Sequence, residues 1–549
     1  MVGRLKTLIV AAALLTSCLT VSAQRDLKPA LDSIESNRIL DHVRILASDK
    51  FEGRAPGTRG EDLTVEYLVD QFKRAGLTPG NPDGTFIQKV PLVGYQTVPQ
   101  LDVFSGGQKL SLKFLDDFVH DFPALRPSAR VGNVPIVFAG YGIVAPEYGW
   151  DDYNGVDVRG KLVLVLSGEP QVPDKSDPKK LDANVFRGET RTYYSTRESK
   201  FDIAAKKGAA GVLVIYDPEK AKTFSLFQTF AKMEGFAIKP QDRNTKTLIS
   251  GLITTNASRR LFSATGRDLD QLEKAAKLTG FRAVECDGRA NIAVTSKLRN
   301  VVSRNVVARV EGSDPKLRSE YIVYSAHWDH LGRDPNLKGD PIYNGAMDNA
   351  IGTAQLLEIA RAFAMSTKKP KRSILFIAVT AEEKGYLGSR YYVQHPLFPI
   401  SKSVANINLD GGNAWGVTRD LLTANYGLST LDEVLEVAAK AQNRSFTKES
   451  VDDGGLYFGS DQVEFAKAGI PAIFPFSGFE YVGKPKDFAD KKWEAYSAND
   501  YHQVSDELRP DWDLSGAAED AKWLLIAGAN VANSATRPAW KRGVEFRRK

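Results

Sequence analysis

Cysteine is almost missing from this chain: only Cys18 and Cys286 occur in 549 residues. A chain that loses Cys18 with its leader cannot form an intrachain disulfide. Stability in an oxidising compartment must then come from burial. Histidine is also scarce, with six residues, so any imidazole site draws on His42, His120, His327, His330, His395 and His502. No apolar run approaches the roughly 20 residues that a membrane-spanning helix requires. No block of basic residues points to a nucleic-acid partner, and the net charge of +6 becomes +4 (6 − 2) when Arg4 and Lys6 are removed. Internal repeats and low-complexity stretches are absent. The tail carrying Lys541-Arg542 and Arg547-Arg548-Lys549 reads as a solvated end.

The length exceeds what one hydrophobic core serves, so the chain should divide into domains. Residues 1–23 read as an export signal: Arg4 and Lys6, an apolar run Leu8 to Leu15, then Val21-Ser22-Ala23 before Gln24. Leu15-Thr16-Ser17-Cys18 offers a rival cut with a lipid anchor at Cys18. The expectation is an exported protein, periplasmic or secreted, with a membrane-anchored lipoprotein as the alternative. Residues 24–95 read helical, from Ile39, Val43, Leu46 and Ala47 and again from Leu63, Tyr67, Leu68 and Phe72. The Gly-, Pro- and Arg-rich stretch 51–60 between them is a turn or a substrate rim. Residues 96–290 turn to short strands such as Lys161-Leu-Val-Leu-Val-Leu166 and read as an inserted β-rich module without a cluster of chemical groups. From 291 to 536 strand and helix alternate, predicting an α/β, doubly wound sheet; residues 537–549 are the tail.

Chemistry concentrates between residues 322 and 410. The apolar run Ile322–Ala326 leads into His327-Trp-Asp329-His330, Ile374–Val379 into Thr380-Ala-Glu382-Glu383, and Ala405–Leu409 into Asp410-Gly-Gly. In an open α/β sheet ligands gather beyond the carboxyl ends of the strands, so the three endings should meet. Asp348 stands before a helical pattern, where alone it would read as an N-cap. His502 sits beside Tyr501 further on. Such a set of carboxylates without cations would repel itself, and two divalent metals resolve the conflict. Imidazole and carboxylate without thiolate suit zinc, with cobalt or manganese as substitutes. Two metals about 3.5–4 Å apart need a bridging carboxylate and leave one acid free as a base. Asp329 can accept the second ring N–H of His327. His330 reads as a structural hydrogen-bonder on the opposite face, and His42, His120 and His395 as ordinary helix, loop or surface residues. Ser460-Asp461 reads as a helix cap. Gly385-Tyr-Leu-Gly388-Ser389 reads as a cap or a pocket wall, and Tyr501 as packing or an oxyanion donor.

The order His327-x-Asp329, Asp348-Asn349, Glu382-Glu383, Asp410, Tyr501-His502 resembles the co-catalytic zinc aminopeptidase family, which includes glutamate carboxypeptidase-like enzymes and glutaminyl cyclases. The likeness covers about 290–536 and the leading stretch Leu46–Gly60, and the 96–290 insert resembles a protease-associated domain. The resemblance implies a zinc-exopeptidase fold in which Asp348 bridges two Zn2+. It completes one site with Glu383 and His502 and the other with His327 and Asp410. It also implies Glu382 as general base, Asp329 orienting His327, a cis peptide after Asp348, and peptide substrates. Three other readings stay open at this point: a C-terminal-Glu carboxypeptidase using Arg54, Arg59 or Arg390, a one-zinc glutaminyl cyclase, and a non-catalytic binding protein.

Overall fold

The computed structural model describes residues 27–217, 224–239, 247–424, 426–448 and 455–547. The expected leader, with Cys18, lies outside them. No helix among the described residues is long and apolar enough to cross a membrane. The chain forms two compact units: residues 1–90, 303–451 and 460–549 make the first, and 91–302 with 452–459 the second.

The sheet of the first unit follows from apolar runs too uniform to have a wet face. Its strands run in the order Ala472–Ile473, Ser403–Asn408, Tyr321–His327, Ser373–Val379, and then the carboxyl end of the long strand Val284–Val310. The first four are mutually parallel and the last is antiparallel, so the sheet is mixed. Side chains alternate across it. Ile322, Tyr324, Ala326, Ile374, Phe376 and Ala378 join a core with helices Ser36–Leu46, Arg59–Arg74, Gly352–Met365, Leu431–Ala441 and Ser515–Asn533. Helices Leu387–Gln394 and Gln462–Lys467 form a separate pair, joined by Tyr392 against Phe465. Tyr324 donates to the Leu524 carbonyl at 2.7 Å. Gly528 allows that approach, because a Cβ there would lie 1.7 Å from the tyrosine oxygen. The helix expected over 514–532 is thereby fixed to the central strand.

The second unit is more helical than its β-rich reading. Parallel strands Ser128–Phe138, Leu162–Leu166, Gly211–Tyr216 and Ile249–Thr254 carry helices Arg197–Lys206, Thr255–Ala264 and Leu269–Ala276 between or after them. Leu162, Leu164, Leu213 and Ile215 enter one core and Val163, Val165, Val212 and Val214 another, as period-two alternation between two covered faces requires. Cys286 is buried and unpaired, and burial pushes its thiol up to about 11. Lys200 is buried, and its ammonium donates to the carbonyls of Tyr141, Gly168 and Tyr194 at 2.6, 2.7 and 3.2 Å. It is an internal tie in a stretch where sequence named no chemistry.

Candidate metal centre

Three adjacent strands of the first unit bring their endings together. His327 closes its strand opposite Val379, three residues before Glu382, and Ser325 lies opposite Asn408, two residues before Asp410. Asp348 lies in the turn Ala346–Ile351, where φ −110° and ψ 93° are not helical. Helix Gly352–Met365 is entered from Ile351, so Asp348 is not its N-cap. The Asp348–Asn349 peptide is cis. Asn349 Oδ1 accepts from the Gly352 and Gly411 amides, each at 3.0 Å, and its amide donates to the Leu409 carbonyl at 2.9 Å. Those contacts tie the turn to the Asp410 loop. Gly345 precedes it at φ 56°, where a Cβ would lie 2.2 Å from the Asp348 carbonyl, so only glycine fits.

The side chains converge with a definite order. Asp348 Oδ1 lies 3.2 Å from His327 Nε2, and its Oδ2 lies 3.0 Å from His502 Nε2. His327 Nε2 also faces Asp410 Oδ1 at 3.1 Å, and His502 Nε2 faces Glu383 Oε2 at 3.1 Å. Glu382 Oε2 stands further off, 3.9 Å from His327 Nε2. His327, Asp348 and Glu383 form a group whose ligand atoms can all meet one ion.

Surrounding groups hold this arrangement, with several departures from the sequence reading. His327 Nδ1 meets the main-chain oxygen of Asp329 at 3.0 Å rather than its carboxylate. The Asp329 carboxylate instead accepts the Glu382 amide at 3.1 Å, so it fixes the Glu382 backbone. His330 is a hydrogen-bonder, yet its partner is Glu383 Oε1 at 2.6 Å. It therefore belongs to the centre. Ser460 and Asp461 do not cap helix Gln462–Lys467: Ser460 accepts from Asn408 at 2.8 Å, and Asp461 accepts from Ser389 at 2.5 Å. His42 lies on helix Ser36–Leu46, as read, and meets Tyr67 at 2.6 Å and Glu358 at 3.2 Å, while His120 is a buried residue of strand Phe118–Pro123. Sequence also missed Asp506, whose carboxylate accepts the Met347 and Asp348 amides at 3.0 Å each. A lone acid in a loop gave no signal for that.

Charge is finely set here. Burial opposes a proton on His327, yet Asp410, Glu382 and Asp348 hold its pKa well above the ordinary histidine value. Against the same burial, Glu383 and Asp348 raise His502 to about 10. Burial pushes Glu382 well above the carboxylate range, and Asp410, Glu383 and Asp461 add to it. Burial likewise raises Asp329 and Asp461 to about 7 and Asp506 to about 6. The metal-free cluster thus retains protons that divalent cations would replace. Tyr501, 44% exposed, stacks on His502 with ring centroids 3.9 Å apart. Beside Asp410 lies a small recess walled by Phe476, Trp493 and Trp523.

Fold and site together define a mixed α/β unit with an imidazole–carboxylate centre at its strand ends. Residues 305–526, about two fifths of the chain, match the model of Peptidase family M28. Among curated relatives, aminopeptidase YwaD of Bacillus subtilis is 31% identical over 40% of this chain and 44% of its own length. A probable glutamate carboxypeptidase, AMP1 of Arabidopsis thaliana, is 25% identical over 84% of this chain and 64% of its own. The chain spans 20%, 64% and 44% of the first three curated relatives it matches. Among solved structures, an aminopeptidase from Aneurinibacillus sp. strain AM-1 aligns over 92% of this chain and 96% of that one, with TM-score 0.49 and 18% identity.

Proposed function

We propose that the chain is an exported zinc-dependent aminopeptidase that removes N-terminal residues from peptides. The observation that carries this reading is the orientation of Asp348, whose two oxygens face two different imidazoles, each with a further carboxylate beside it. Ligand atoms placed tetrahedrally at about 2.0–2.1 Å from a zinc ion lie roughly 3.3 Å apart, close to these spacings of 3.0–3.2 Å. The donor set, without thiolate, also fits zinc, cobalt or manganese. His327 and Asp410 would hold one ion, His502 and Glu383 the other, and Asp348 both.

A divalent cation pair supplies Lewis acidity, acidifying water and polarising a carbonyl. Glu382 is the acid left over, outside the inner set of carboxylates by distance. Its backbone is fixed by Asp329, so its carboxylate is placed to take a proton from the attacking water and deliver it to the leaving amine. Tyr501 stands beside His502 as a donor toward a developing oxyanion. We assign the second unit as a protease-associated module.

The carboxypeptidase reading requires a free basic grip for a terminal carboxylate. Arg54 is sealed inside the fold, Arg59 meets Glu52 at 3.1 Å, and Arg390 meets Glu464 at 3.1 Å. These pairings favour the aminopeptidase. A panel of peptides with free or acetylated amino termini and free or amidated carboxyl termini tests the choice. Hydrolysis should need the free amine and tolerate the amide. Cleavage that needs a free carboxyl terminus and ignores acetylation would overturn the assignment.

A further inference from the structure

Arg54 is 1% exposed, and its guanidinium is spent on main-chain carbonyls. Nε donates to Trp328 at 2.8 Å, Nη1 to Leu46 at 2.7 Å and to Asn344 at 2.6 Å, and Nη2 to Gly345 at 2.9 Å. Trp328 directly follows His327, while Asn344 and Gly345 lead into the Asp348 turn. Leu46 ends helix Ser36–Leu46. One planar fork therefore joins a rigid helix end to the two segments that carry the first imidazole and the bridging carboxylate. Only arginine offers several donors in a fixed plane.

The turn bearing Arg54 is itself over-determined, as a strained conformation must be to persist. Arg54 has φ 53°, in the left-handed region. Gly53 precedes it at φ 66°, where a Cβ would lie 2.4 Å from the Gly332 carbonyl and 2.6 Å from that of Tyr343. Beyond it, the Glu61 carboxylate accepts the Gly57 amide at 2.5 Å, the Ser303 hydroxyl at 3.0 Å and Arg304 Nε at 2.8 Å. Burial lowers the guanidinium to about 10, while Asp329, Asp348, Asp506 and Glu383 favour its charge. A cation thus underlies the acid cluster at neutral pH.

We propose that Arg54 is a positioning residue of the centre, holding the His327 and Asp348 segments in ligand-ready register before any cation arrives. This rests on the two-cation reading above. The test compares Arg54→Lys with Arg372→Lys in the full chain. Arg372 is equally buried and also donates to main-chain carbonyls, those of Val531 and Ser534 at 2.9 and 2.6 Å, but it touches no ligand segment. Both changes keep the charge and lose the fork.

Zinc affinity is read by chelator competition and ligand geometry by the absorption of the cobalt-loaded protein. Arg54→Lys should bind zinc about 10- to 100-fold more weakly, the usual range for groups that orient ligands, with an altered cobalt spectrum. Arg372→Lys should lower thermal stability and leave both readouts unchanged. Affinity within twofold of wild type in Arg54→Lys, or equal weakening in both variants, would overturn the proposal. Hydrogen exchange of the metal-free wild type gives a second measurement that needs no variant. Segments 327–330 and 344–349 should already be protected, and protection appearing only with zinc would also overturn it. A wild-type protein that binds no zinc would instead defeat the two-cation reading itself.

Discussion

Glu382 and Glu383 are chain neighbours with different surroundings. Glu383 is gripped by His330 and His502, while Glu382 approaches His327 no closer than 3.9 Å. One carboxylate is thus committed to the ligand set and the other is spare. Replacing Glu382 by Gln keeps shape and removes the proton acceptor. Turnover should fall about 100- to 10,000-fold, the share general-base catalysis commonly supplies, with zinc content unchanged by atomic absorption. Undiminished turnover would remove Glu382 from the base role. At this scale sequence could single out His327, Glu382, Glu383 and Asp410 at strand ends, whereas Asp348, alone an N-cap reading, and His502 stood out only as members of the set. It could not assign Asp506 to the Asp348 backbone or His330 to Glu383. Those contacts join positions 158 and 53 residues apart, and no local pattern encodes them. For Asp329, local spacing suggested its carboxylate as partner of His327, and the nearer carbonyl took that place.

The elements were legible where burial dictates composition. Strand Ser373–Val379 is buried at every position, and its uninterrupted apolar run announced that. Helix Ser36–Leu46 buries Ile39, Val43 and Leu46, the positions that helical periodicity selects. Legibility failed where backbone geometry departs from regular periods. The turn Ala346–Ile351 resembles a helix start in sequence, yet Asp348 and Asn349 are not helical. The Phe51–Gly60 stretch read first as a turn and second as a substrate rim, and the carbonyls that meet Arg54 from two distant segments, at Trp328 and at Asn344-Gly345, gave no local signal. In the second unit the helices around Ala204-Ala205 and near Leu269–Leu278 were legible and are found as Arg197–Lys206 and Leu269–Ala276, while Thr255–Ala264 was not read from sequence.

For the whole molecule, the buried acids make stability depend on pH and on metal together. In the metal-free protein Asp329 and Asp461 keep their protons to about pH 7 and Asp506 to about 6, whereas an unfolded Asp titrates near ~3.9. A carboxyl with a raised folded pKa contributes stability that is complete below its unfolded value and disappears as pH climbs to the folded one. The metal-free thermal midpoint should therefore fall between about pH 5 and pH 7. Loaded protein should fall less, since cations offset the same negative charge. A metal-free midpoint that rises over this interval would contradict the charge assignment. The most direct measurement is the number of zinc ions per chain after chelation and reloading. The Asp348 geometry predicts two in the wild type and the loss of both in Asp348→Ala. One ion per chain, or two retained without Asp348, would contradict the bridged centre.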